Sequence, residues 1–254
     1  MSPLFIPEEI IVFIVAFIAS LFSSIAGGGG GLIVTPALIF MGLPFTMALG
    51  TGKTSALGLG IGSSLRYAKD KLLDWKHTLF LCLMGPIPVT IGVYGILHTP
   101  NDIAVKVLGI LTMSLSAYSF FKKQLGKSYA PKNRTKKGYA IGGIGIFIVG
   151  LFSGAFGAGS GLFNTIWNIR WFGMDYKRAV AHTMFVLGLA WNCLGSGLLI
   201  YNGQIVWSYI PALMLGYLVG GYCGAHIAIK KGNAFIKHLF EVVAFILGLK
   251  LLLS

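Results

Sequence analysis

The residues with the most chemical potential are glycines. Five in succession, Gly27 to Gly31, interrupt an apolar run and lead into Leu32-Ile33-Val34-Thr35-Pro36. A looser copy, Gly157-Ala158-Gly159-Ser160-Gly161, leads into Leu162-Phe163-Asn164-Thr165 at the matching point of the other half. A short helix starting at either turn presents unpaired backbone N–H groups and the positive end of its dipole. Such an end binds anions, and glycine lets the anion come close to the backbone. The candidate binding groups are therefore Gly29, Gly30, Gly31, Gly159, Ser160 and Gly161. Ser24, Thr35, Ser153, Asn164 and Thr165 add hydroxyls and amides on adjoining turns. Close helix packing is the competing use of small residues in membranes. A five-glycine run mirrored at a matching position favours the site.

Other candidates lie in the apolar run that follows each turn. Thr51 and Lys53 sit about a third of the way into the run 45–65, and His182 occupies the region equivalent to Thr51 in the second half. A lysine at that depth costs at least about 2.5 kcal/mol on insertion scales, so a functional role, neutralising a bound anion, is expected. A structural bond to carbonyls of a broken helix is the alternative. Gly50-Thr51-Gly52-Lys53-Thr54 resembles the end of a nucleotide-binding loop, but Met47 stands where its first glycine belongs and no strand precedes it. His182 is suited to carrying a proton, with an ordinary imidazole pKa near 6.5; a hydrogen-bonded interior histidine is the alternative. Asn192 and Trp167 lie in interrupted regions, and Lys237, His238 and Glu241 share a helical face that suits a local ion pair.

The elements that must position these groups are membrane helices. Of the 254 residues 11% are charged and 56% hydrophobic, and the mean hydropathy is +0.81. That leaves too little polar surface for a water-soluble globule. Apolar segments fall at about 8–26, 45–65, 77–97, 103–121, 139–156, 179–200, 208–228 and 235–253, with short ones near 32–42 and 162–172. They lack the alternation of a β-barrel. Glu8 and Glu9 precede the first run, which is read as retained rather than as a cleaved leader. Cys82, Cys193 and Cys223 are odd in number and widely spaced, which fits packing residues rather than zinc ligands or disulfides. The net charge of +13 resides mostly in loops between spans, where membrane orientation accounts for it and nucleic-acid binding is not expected.

Setting Gly31-Leu32 on Gly161-Leu162 also aligns Ala48-Leu49-Gly50-Thr51 with Ala179-Val180-Ala181-His182, and Trp75 with Trp207. The expected fold is an all-α polytopic membrane protein of two inverted repeats, each a broken or re-entrant helical hairpin plus three transmembrane helices. Residues 1–121 form the first repeat, 122–138 a basic cytoplasmic linker, and 139–254 the second repeat. Inversion is favoured because it places the basic loops 66–76, 122–137, 170–178 and 229–238 on one side. Both termini are then extracytoplasmic. The short limbs cover about half the hydrocarbon thickness, so the two glycine turns are expected to meet near the midplane.

Gly27 to Pro36, Gly42-Leu43-Pro44, Ala48 to Thr51 and Trp75 after a basic loop resemble the first repeat of the TauE/SafE family of sulfite exporters. Gly154 to Asn164, Ala179 to Thr183 and Gly203-x-Ile205-x-Trp207 are similar to its second repeat. The resemblance covers nearly the whole chain. It implies transport of sulfite, sulfonates or related small sulfur-containing anions across the cytoplasmic membrane. Lys53 and the weaker second glycine turn depart from the usual pattern. The expectation is a secondary transporter working by alternating access; an anion channel of the same fold, or a transporter of another small organic anion, are the alternatives. No enzymatic constellation and no cofactor or metal is expected. The expected partners are the small anion, a coupling proton or sodium ion and the lipid bilayer, with a homodimer left open.

Overall fold

A computed structural model of the chain describes residues 8–98, 126–157 and 159–253, with isolated positions between 110 and 121. Most of the expected span 103–121, the start of the linker at 122–125, and Ala158 lie outside the described residues. The described elements are helical: α1 (Glu8–Ala26), α2 (Gly31–Phe40), α3 (Phe45–Ser55), α4 (Leu57–Lys69), α5 (Trp75–Met84), α6 (Pro86–Leu97), α7 (Lys136–Phe156), α8 (Ser160–Phe172), α9 (Tyr176–Phe185), α10 (Asn192–Tyr201), α11 (Ile210–Lys231) and α12 (Asn233–Leu253). A π-helical turn, Val186–Trp191, joins α9 to α10. Five stretches among the described residues are long and apolar enough to cross a bilayer: Glu8–Ala26, Trp75–Leu97, Lys136–Phe156, Tyr176–Tyr201 and Trp207–Lys231. The chain is a multi-pass α-helical membrane protein.

Two runs expected to be continuous are broken. The run 77–97 is interrupted at Gly85, followed by Pro86 and Pro88, which supply no amide for the ladder. The run 45–65 is interrupted at Ala56, although the Ala56 amide still reaches the Gly52 carbonyl at 2.9 Å. In the repeat alignment Ala56 falls on Leu187, inside the π-helical turn, so both halves disturb the same helix at the same depth.

Small residues set the helix packing. Backbone carbonyls of Phe13, Phe17 and Leu21 on α1 lie where Cβ atoms on Gly216, Gly220 and Gly224 of α11 would sit. Ser24 Oγ donates to the Gly221 carbonyl at 2.8 Å across the same contact. Helix α4 runs in the same direction, with Gly58 beside Met214, Gly62 beside Leu218, and Arg66 donating to His226 Nδ1 at 3.1 Å. In the other half α5 and α6 run parallel to α7, from His77 beside Tyr139 to Gly92 beside Leu151. Because α5 begins where α4 ends, Trp75 and Trp207 lie at opposite ends of the bundle. Both are exposed, 62% and 60%, as interfacial tryptophans are.

The Trp75 end collects the basic segments. Arg134 pairs with Asp74 at 3.2 Å, Ala130 and Lys132 bond to Gly173 and Phe172, and Asn233 accepts from the Lys177 amide. Hairpin α1–α2 enters from the other end: Ile11 and Val12 of α1 line one groove with Leu38 and Phe40 of α2. Hairpin α7–α8 enters from the basic end, where Trp171 Nε1 donates to the Gly138 carbonyl at 3.0 Å. The first limbs are unbroken helices of 19 and 21 residues, the second limbs shorter helices of 10 and 13.

Candidate functional site

The two hairpin tips touch. A Cβ on Gly28 would lie 2.6 Å from the Leu162 amide nitrogen and 2.7 Å from Gly161 Cα, and Thr165 Oγ1 donates to the Gly27 carbonyl at 3.0 Å. Glycine is required because Gly27, Gly28 and Gly29 have φ of 85°, 145° and 96°, a region closed to most L-residues. Gly30 differs: its φ is −57° and it caps α2 in right-handed geometry. Opposite it, Gly159 is left-handed and precedes α8.

Beside the joined tips lies a cavity of about 70 Å³, lined by both hairpins, by α3, α4 and α9 with its π-helical turn, by Asn192 of α10 and by Tyr217 of α11. That is room for several waters or one small anion. Neither α2 nor α8 carries a side-chain cap. Among the described residues the amides of Gly29, Gly30, Gly31, Ser160 and Gly161 have no acceptor, whereas the Leu162 amide bonds to the Gly159 carbonyl at 2.9 Å. The hydroxyls of Ser23, Thr35 and Tyr217 line the same space without a hydrogen bond to another described residue.

Lys53 supplies the charge. It is buried, 4% exposed, and its Nζ donates to the Ser153 carbonyl in the last turn of α7 at 2.6 Å. Its stem passes Gly157 and its ammonium passes Gly195, where a Cβ would come within 3.0 Å of Lys53 Cε and Nζ respectively. The bond to Ser153 caps the negative end of α7 and uses one of three ammonium donors. No carboxylate pairs with Lys53 among the described residues, and none lines the cavity.

Of the residues singled out from sequence, Gly29, Gly30, Gly31, Thr35, Lys53, Ser153, Ser160, Gly161 and Asn192 come together at this cavity. Gly159, Asn164, Thr51 and His182 stand apart. Gly159 is buried behind the α8 terminus. Asn164 Nδ2 donates to Thr183 Oγ1 at 2.8 Å, while its buried Oδ1 has no partner among the described residues. Thr51 Oγ1 accepts from the Val206 amide at 2.9 Å. His182 is fully occupied: Nδ1 donates to the Arg178 carbonyl at 2.7 Å and Nε2 accepts from the Asp74 amide at 3.0 Å. Ser24 likewise holds helices together, and Trp167 donates to the Gly142 carbonyl. Lys237 and Glu241 form the expected local ion pair.

Sequence reasoning missed Ser23, Thr183 and Tyr217 as lining residues. Ser23 carries a faint signal, lying one turn before the glycine run. Tyr217 carries none, since a tyrosine in an apolar helix reads as packing.

A bundle of bilayer-length helices, broken around a buried polar cavity at depth, defines a polytopic membrane transporter. A family model for the sulfite exporter TauE/SafE matches residues 12–251. The chain belongs to that family. Similar proteins span nearly its whole length. One, a "Probable membrane transporter protein" of Haemophilus influenzae, is 28% identical over 95% of this chain and 93% of its own. A second, "Probable membrane transporter protein ORF9" of Sinorhizobium sp, is 30% identical over 95% and 91%. "Probable membrane transporter protein YfcA" of Escherichia coli is 27% identical over 95% and 88%. No solved structure matches the chain.

Proposed function

We propose that the protein is a secondary transporter that moves a small sulfur-containing anion, such as sulfite or an organosulfonate, across the cytoplasmic membrane by alternating access. One observation carries the reading. A buried lysine with no carboxylate partner among the described residues shares a small cavity with uncapped helix N-termini approaching from both ends of the bundle. Positive charge, free N–H groups and hydroxyls converge there with no opposing negative charge among the described residues, which is the electrostatics of an anion site. The cavity volume of about 70 Å³ favours a headgroup-sized anion over a large one. The family name supplies the sulfur chemistry.

In this reading the two halves are inverted about an axis in the membrane plane. The basic end is cytoplasmic and both termini are extracytoplasmic. The opposite placement of Trp75 and Trp207 and the opposed hairpins support it.

The test is uptake into proteoliposomes across sulfite, thiosulfate, sulfoacetate, taurine, sulfate and carboxylates. Saturable flux of the small sulfur oxyanions, accelerated by counter-anion on the far side, is expected. Conductive, non-saturating flux would instead mean a channel, and flux of carboxylates alone would move the substrate class.

A further inference from the structure

From the contacts at its two ends, we infer that His182 is a proton-binding latch, and that adding a proton to its Nε2 releases the loop 70–74 and opens the basic end of the bundle. The transport reading contributes only that this end must open; the latch itself is measurable without any anion.

Two contacts between the halves are reciprocal. Asp74 and Val206 each precede the tryptophan that the repeats share, and each donates its backbone N–H to the other half, to His182 Nε2 and Thr51 Oγ1. Thr51 and His182 are themselves equivalent in the repeat alignment. Each contact thus ties an interhelical loop to the broken helix beside the cavity. The two ties differ in chemistry. A threonine hydroxyl accepts at any ordinary pH, whereas an imidazole nitrogen accepts only while it keeps its lone pair.

His182 Nδ1 already bears the hydrogen donated to the Arg178 carbonyl. A proton taken from the medium therefore adds to Nε2 and turns the acceptor into a donor. Two N–H groups then face one another, and the Asp74 bond is lost. The remaining neighbours do not replace it. His77 of α5 stands edge-on with ring centroids 5.4 Å apart, and the side chains of Asp74 and Arg134 engage each other at 3.2 Å. Arg178, one turn back on α9, pairs with Asp175. By linkage, an end that opens on proton binding also binds protons more tightly when open. The opposite end, tied by Thr51, carries no such dependence.

The experiment uses the full chain with Cys82, Cys193 and Cys223 replaced by Ser and a nitroxide on Lys71→Cys, an exposed position in the loop. Its spectrum is recorded without anion from about pH 8 to about pH 5, bracketing the ordinary imidazole range. The mobile component should grow several-fold on acidification in the parent. It should stay flat in His182→Gln, whose carbonyl accepts the same bond and takes no proton. A response that survives in His182→Gln, or no response in the parent, would overturn the assignment. If His182→Gln does not fold, [15N]histidine spectra of the parent decide. Protonation of His182 Nε2 in step with loop release supports the latch; release with Nε2 unprotonated refutes it. Anion affinity is read separately through Lys53, so a failure of the transport reading leaves this result interpretable.

Discussion

Asp74 in the first half of the chain donates its backbone N–H to His182 Nε2 in the second, 3.0 Å away, and Val206 returns the same contact to Thr51 Oγ1 at 2.9 Å. Contacts in which i meets j and j meets i are what a two-fold relation between repeats produces. These two lie at opposite ends of the bundle, one beside Trp75 and the other beside Trp207. The halves therefore brace each other through the loops that border the cavity-lining helices.

Replacing Thr51 with Val removes the acceptor and strands the Val206 amide. Loss of one partner at such a site costs about 1–3 kcal/mol. The variant should melt at a lower temperature, and the segment Tyr201 to Val206 should become cleavable by protease added to the purified protein. Unchanged melting and protection would mean that the contact carries no energy.

Single cysteines at Tyr201 and Lys231, in a background lacking the native three, report orientation. An impermeant maleimide added to cells should reach the first from outside and the second only after permeabilisation. The reverse pattern would show that the basic end faces outward, against the expectation from loop charge.

Much of this organisation is legible in the sequence because it breaks a pattern. Glycine runs and a lysine interrupt apolar segments, and these interruptions mark Gly29 to Gly31, Lys53, Ser160 and Gly161, which line the cavity. Thr51 and His182 also stand out, as equivalent positions. Their role does not, because it depends on backbone amides more than 100 residues away in each case. Nor does the break at Ala56, which contains no proline and leaves nearby amide bonds intact. Glycine takes either sign of φ, so the run alone does not say which of its residues turn left; Gly30 is right-handed because it already belongs to the cap of α2.

That difference predicts a ranking among glycine variants. Gly161→Ala brings a Cβ to 2.8 Å from the Gly27 carbonyl and forces the tips apart, whereas Gly30→Ala meets Ser23 Cβ at 3.1 Å without a strained φ. Gly197, exposed and with nothing within 4 Å of an added Cβ, is the control. Overpacking of this kind costs about 1–3 kcal/mol. Anion affinity measured by calorimetry should fall most in Gly161→Ala, less in Gly30→Ala and not at all in Gly197→Ala. Equal losses at all three would place the anion elsewhere.

In the proposed reading Lys53 is the charge on which anion binding depends, and the calorimetric anion affinity of Lys53→Gln beside the parent measures that dependence. Opposite charges about 4 Å apart at an effective dielectric near 20 attract by about 4 kcal/mol before desolvation is subtracted. The variant retains a donor for the Ser153 carbonyl and loses the charge. Sulfite or sulfonate affinity should drop at least about tenfold, roughly 1.4 kcal/mol, while melting temperature and monodispersity stay near the parent's. A well-folded Lys53→Gln protein that binds the anion as tightly as the parent would contradict the assignment and leave Lys53 as the cap of α7 alone.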